Sequence, residues 1–161
     1  MCESIVTILK NCPQAYYLPI GHSRRKDEFM NFFEKNEVHH RVIFLDCVED
    51  PSQIARSIDL YLNEFPFGGG FAILEAMASG CPIISMYDET APIQGRVGGI
   101  YYSQERTISS CDPDAYVKLA CRLIKNSQMR QEWSDFALKR YEEQVQPKKY
   151  VNDFEQTIIE R

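Results

Sequence analysis

Apolar residues recur along the chain at two spacings, three to four apart or alternating and continuous, and the switches between them delimit the elements. Ile5, Ile8, Leu9 and Cys12 fall at helical spacing, which predicts a helix over residues 4–12 ended by Asn11 to Pro13. Ala15 to Ile20 follows as a strand, with Pro19 near a strand end or sheet edge and Gly21-His22-Ser23 turning the chain. Phe29, Phe32 and Phe33 form the buried face of a second helix, and Arg41 to Asp46 is a second strand. Asp50-Pro51-Ser52 begins a third helix with Ile54, Ala55 and Ile58 on one face. Leu60 to Phe65 is short and β-favouring, Phe71 to Ser79 switches to helix formers, Gly80 stops that helix, and Ile83 to Met86 is a further strand. Beyond it come a short strand, Ile100 to Tyr102, and a helix begun at Asp112-Pro113-Asp114 that buries Val117, Ala120, Cys121 and Ile124. Trp133, Phe136, Ala137 and Tyr141 form another stripe, and Tyr150, Val151, Phe154 and Ile158 a third beyond Pro147.

Helix and strand therefore alternate, which predicts an α/β fold: one Rossmann-like, doubly wound parallel sheet with helices on both faces over residues 1–161, followed by C-terminal helices. Such a domain usually begins with a strand. This chain opens on a helix, so the first strand is expected to be missing.

The stretch from Leu60 to Met86 is the chemical centre, because Gly68, Gly69 and Gly70 stand between a strand and a helix. A glycine run at a helix mouth leaves backbone N–H groups at the positive end of the helix dipole, with no side chain in the way of a phosphate or carboxylate. A Cβ at Gly70 would project into that space, and the loop is expected to need a positive φ there. Glu75, one turn inside on the face of Phe71 and Ala72, can accept hydrogen bonds from the hydroxyls of a docked ribose. Three glycines also make a plain tight turn, with Glu75 a solvated helix residue.

The loop Tyr87 to Val97 is long and follows a strand, so it should reach the same sheet edge, where Thr90 could bond a phosphate and Arg96 offset its charge. Alternatively Arg96 pairs with Asp88 or Glu89. Arg24, Arg25 and Lys26 resemble a phosphate clamp, but Asp27 and Glu28 follow at once and a solvated helix start accounts for them. His22 fits a turn; His39 and His40, adjacent and pointing to opposite faces, are assigned no role.

Composition narrows the field. A net charge of −5 and a pI near 5.2 exclude a general nucleic-acid binder, which needs a concentrated basic face. Six scattered cysteines with no Cys-x-x-Cys pair and no histidine at ligand spacing suggest neither zinc nor a disulfide scaffold, and read as thiols in a reducing cytosol. No run approaches the length of a membrane helix or resembles a signal peptide, so the chain is expected to be cytoplasmic.

Leu62-Asn-Glu-Phe-Pro-Phe-Gly-Gly-Gly and then Leu74-Glu-Ala-Met-Ala-Ser-Gly-Cys-Pro-Ile-Ile-Ser resemble the nucleotide-sugar-binding signature in the C-terminal half of GT-B glycosyltransferases, group 1 enzymes among them. The resemblance implies one half of a GT-B fold that binds a nucleoside diphosphate sugar, UDP being the expected nucleotide, for transfer to a protein, glycan or lipid. It puts the diphosphate on the backbone of Gly69, Gly70 and Phe71 and the ribose on Glu75, and it implies no metal and no cofactor besides the donor substrate. Many retaining members carry a first glutamate where Phe67 stands. Pro66-Phe67-Gly68 and the run Met86 to Val97 are instead similar to the inverting adhesin N-glucosyltransferases and O-linked N-acetylglucosamine transferases, although their His-Thr-Thr-type residues are Gly70, Phe71 and Ala72 in this chain. The implied partner is an N-terminal half, in cis or in trans, that supplies acceptor, general base and any peripheral membrane contact, so no catalytic residue is assigned and the chain alone is expected to be inactive. Other candidate functions are a non-catalytic nucleotide-binding or assembly subunit and, with fewer residues in its favour, a sugar-nucleotide epimerase.

Overall fold

A computed structural model describes residues 1–65, 68–88, 90, 102–109 and 112–145. Helix α1 (Cys2–Asn11) buries Ile5, Val6, Ile8 and Leu9 on one face. Its C-terminal carbonyls are met by Arg41, whose Nη1 donates to the carbonyls of Leu9 (2.6 Å) and Cys12 (3.2 Å). The chain then returns as an extended segment in which Tyr17 pairs with Val42 and Ile20 with Leu45, both in parallel. Between them runs α2 (Lys26–Lys35), which buries Phe33.

α3 (Pro51–Ser57) is capped by Asp50, whose carboxylate accepts from the Ser52 N–H at 3.0 Å. Strand β1 (Tyr61–Leu62), α4 (Gly70–Ala78), β2 (Ile83–Ile84), β3 (Met86–Tyr87) and β4 (Ile108–Ser109) follow. β1 pairs with β2 and β3 with β4, both in parallel, and only Ser85 separates β2 from β3. Residues 83–87 are thus one central line of backbone, bonded to β1 on one side (Asn63 N–H to Ile84 carbonyl, 2.9 Å) and to β4 on the other (Ile108 N–H to Ser85 carbonyl, 3.0 Å). α5 (Pro113–Lys125) and α6 (Ser127–Arg140) start at the caps Asp112 and Asn126, and residues Tyr141–Val145 make a π turn.

Neighbours in one strand reveal the layers. Ile84 joins a core cluster with Ile5, Leu9, Tyr116, Ala120 and Leu123 of α1 and α5, whereas Ile83 joins Ile73, Ala76, Met77 and Ala137 of α4 and α6. Successive strand residues point to opposite faces, so helices cover both faces of the sheet. This is the α/β alternation the hydrophobic pattern predicts.

Three details differ from expectation. The strand beside β3 is Ile108–Ser109; of the expected strand Ile100–Tyr102, Tyr102 is buried against Trp133 and Phe136 and belongs to no strand, and the rest lies outside the described residues. The α5 stripe is centred on Tyr116, Ala120 and Leu123, a rotation toward α1, which packs on it. His39 and His40 occupy a 3-10 turn instead of an extended approach, and there their rings meet edge to face at 5.7 Å. The Tyr150–Ile158 stripe lies outside the described residues.

Candidate functional site

At the C-terminal edge of the sheet β1 runs into Asn63, a polar residue only 1% exposed. Its bonding accounts for its burial. Nδ2 donates to Ser85 Oγ (2.9 Å), Oδ1 accepts from the Gly69 N–H (3.1 Å), and its carbonyl accepts from the Tyr116 hydroxyl (3.0 Å). One side chain therefore ties the glycine loop to the sheet. A Cβ on Gly68 would run into Asn63 Nδ2, so any side chain there would require Asn63 to shift from its bonds to Ser85 and Gly69. At Gly69 a Cβ would make ordinary contacts with Glu64 Oε2 (3.5 Å) and Ala72 Cβ (3.6 Å).

α4 begins at Gly70 with Gly69 as its N-cap, and no side chain caps it. The N–H groups of its first turn, Gly70 and Phe71 included, thus point outward without a side-chain acceptor. The expected positive φ at Gly70 is not found: Gly70 is helical, Gly69 is extended (φ −70°, ψ 127°), and the positive-φ glycines among the described residues are Gly21 and Gly80. What this loop requires of glycine is therefore space, beside Asn63, and not left-handed backbone. Phe71 is 84% exposed at the second position of α4.

Glu75 is exposed one turn further along α4 and lines a cavity of about 700 Å³ together with Tyr61, Glu64, Ala72 and Ala76. Burial raises the Tyr61 phenol above its ordinary range, with the carboxylates of Glu64 and Glu75 adding to the shift. Burial likewise pushes Tyr17 up to about 12, with Cys2 and Glu64 contributing. Both phenols stay neutral at neutral pH and remain available as hydrogen-bond donors. Arg130 also lines the cavity, but it donates to the Leu123 and Ile124 carbonyls (2.8 Å each) and stands 3.6 Å from Asp59. The helix terminus supplies positive potential at the glycine loop.

Gly68, Gly69, Gly70, Phe71 and Glu75 thus form one loop-and-helix unit. Thr90 follows β3, whose C-terminal end lies on the same edge because the strands are parallel; its N–H and Oγ1 both donate to Asp88 Oδ1 (2.9 and 2.7 Å). Arg96 lies outside the described residues. Arg25 pairs with Glu28 at 2.6 Å in the open, as a solvated helix start would. Asn63 and Tyr61 escape the sequence argument; a lone amide in an apolar strand was the available signal.

The family described as "Glycosyl transferases group 1" matches residues 1–126. The chain is 26% identical over 84 residues to an O-antigen biosynthesis glycosyltransferase, WclY, of Escherichia coli, a match covering 52% of this chain and 24% of the relative. Anabaena HepE, solved in complex with UDP and glucose, superposes with a TM-score of 0.77 at 16% identity over 99% of this chain and 44% of HepE. The C-terminal domain of LpcC, a group 1 family glycosyl transferase from Francisella tularensis, gives 0.70 at 19% identity over 91% of this chain and 77% of that domain. The chain thus spans about a quarter of the Escherichia coli relative in that match and under half of HepE.

Proposed function

Because the chain belongs to the group 1 glycosyl transferases, we propose that it is the donor-binding half of a GT-B enzyme and holds the nucleoside diphosphate of a sugar donor at the N-terminus of α4. The observation that carries this is the uncapped first turn of α4, offered at the sheet's C-terminal edge by a glycine loop that Asn63 anchors, with Glu75 one turn away. Phosphate oxygens accept from the Gly70 and Phe71 N–H groups; Gly69 is left to Asn63. The ribose hydroxyls donate to Glu75. When the glycosidic bond to phosphate breaks, negative charge grows on the leaving diphosphate, and fixed backbone dipoles stabilise it without having to reorganise. A UDP complex of a similarly folded relative, HepE, supports uridine as the base.

The acceptor and the general base come from a second half on the other side of the cleft. With Phe67 where a retaining enzyme would carry a glutamate, an inverting displacement needs only that delivered base. The protein works in the cytoplasm and touches the membrane only through the other half; among the described residues no helix is long and apolar enough to cross one.

Calorimetric titration with UDP tests the donor site. Gly70→Val is expected to abolish binding; because Gly70 stands three and seven positions before the buried Ile73 and Met77, the melting temperature is measured on the same protein so that lost binding is read on folded chain. A stable Gly70→Val protein with unchanged affinity overturns the proposal. Single-turnover assays with UDP-sugars should show no transfer by residues 1–161 alone.

A further inference from the structure

The 700 Å³ cavity is a groove between residues 14–20 and 57–62, and the charges along it are an unexpected set for a phosphate site. Among the described residues they are Asp59, Glu64, Glu75 and Arg130. The single cation is already engaged by Asp59 and by the Leu123 and Ile124 carbonyls. Glu64 also lines the neighbouring cavity of about 340 Å³, so it stands at the border of both.

Local structure holds Glu64 in that place. Asn63 before it is tied to Ser85, Gly69 and Tyr116, and Phe65 after it packs on Tyr116 with ring centroids 4.9 Å apart. With 63 and 65 both committed to the interior, the side chain of 64 is left to the solvent and is exposed. Its Oε2 lies 3.5 Å from the position a Cβ on Gly69 would take, and Gly69 is the N-cap of α4. Among the described residues Glu64 forms no ion pair. A fixed negative charge therefore stands beside the helix end whose N–H groups attract anions.

We propose that Glu64 is a charge-selecting residue of the donor site: its carboxylate tolerates the intact nucleoside diphosphate sugar and disfavours the freed nucleoside diphosphate. The inference rests on the reading of α4 as the diphosphate site. An intact donor carries one negative charge on each phosphate. When the bond between the anomeric carbon and the phosphate oxygen breaks, its electron pair stays on that oxygen. Above about pH 7 the terminal phosphate of the product then keeps both charges, its second pKa being about 6. A carboxylate beside the loop repels that product more than the donor. In the transition state the extra charge is partial, so only the product feels the repulsion in full, which favours exchange of spent nucleotide for fresh donor. Glu75 faces ribose hydroxyls that both ligands share and does not tell them apart.

The test titrates the full chain and its Glu64→Gln and Glu64→Lys variants with UDP and with UDP-glucose, at low salt and about pH 8. Glutamine keeps the shape and removes the charge, and lysine reverses it. UDP affinity should rise about three- to tenfold in Glu64→Gln and UDP-glucose affinity by less. The ratio of the two should thus shift toward UDP by about threefold, and further in Glu64→Lys. Salt of about 1 M, where the screening length is about 3 Å, should erase the shift, whereas an altered loop shape would survive it. A ratio equal in the parent and both variants overturns the proposal. So does a Glu64→Gln protein that loses UDP-glucose and keeps UDP, since Glu64 would then hold sugar hydroxyls. The two readings fail separately: if the parent binds UDP and Gly70→Val abolishes it, the donor site stands even where the ratio does not move. If the parent binds neither nucleotide, both fall.

Discussion

The strand residues on either side of the groove are equally apolar and differently finished. Ile83 and Ile84 are fully buried because helices lie on both faces and β1 pairs alongside, whereas Ile20, of the same residue type and also in an extended segment, is 44% exposed beside an unpaired edge. Composition therefore does not decide burial in this sheet; a neighbouring strand does. The same contrast divides the candidate site, since the glycine loop is anchored from the finished side through Asn63 and Ser85, while Glu75 looks into the unfinished one.

The largest effect that sharpens this contrast is alkaline unfolding. Burial raises the thiol of Cys81 from 9.0 to about 12 and the phenol of Tyr17 from 10.0 to about 12, and it raises Tyr116 and Tyr102 as well. Each group is protonated when folded and ionises first when unfolded, so its contribution is fully present below about pH 9 and is lost as pH rises through 12. The urea midpoint should stay flat to pH 9 and then fall steeply; a flat profile to pH 12 breaks the assignment of these groups to a dry interior. Next, Ile84→Ala should cost about 2–5 kcal/mol, the usual range for truncating a fully buried isoleucine. Ile20→Ala at the open edge should cost well under half as much, and equal costs by urea unfolding would mean that the edge is already filled.

Asn63→Ala comes third. It leaves the Gly69 N–H and Ser85 without their partner, about 1–3 kcal/mol of stability if neither finds water. It should also weaken UDP binding, since the loop loses its anchor; Gly69 exchange that does not accelerate would break that link. Smallest in stability is Glu75→Ala, within about 0.5 kcal/mol because the side chain is exposed. Its expected effect is on affinity: UDP binding falls by about five- to a hundredfold, and the unsubstituted protein should prefer UDP to its 2′,3′-dideoxy analogue by a similar factor.

Local chemistry accounts for what could be read directly from residues. The caps Asp50 and Asp112, the helix end at Gly80 and the strand-glycine-helix unit from Tyr61 to Ala78 depend on neighbours a few positions away, so their residue types announce them. Other features arise from contacts far apart in sequence. Asn63 meets Ser85 and Tyr116, 22 and 53 residues downstream, and no spacing rule links an amide in one strand to a hydroxyl in another. β4 carries no period of its own, because Ile108 and Ser109 form too short a run, and only pairing with β3 makes them a strand.

The sequence by itself determined the alternation of helix and strand and the glycine loop, because each rests on local propensity and hydrophobic period. Only the tertiary structure decided which strands pair. Strand order is set by which edges meet in space, and it leaves a cavity between residues 14–20 and 57–64.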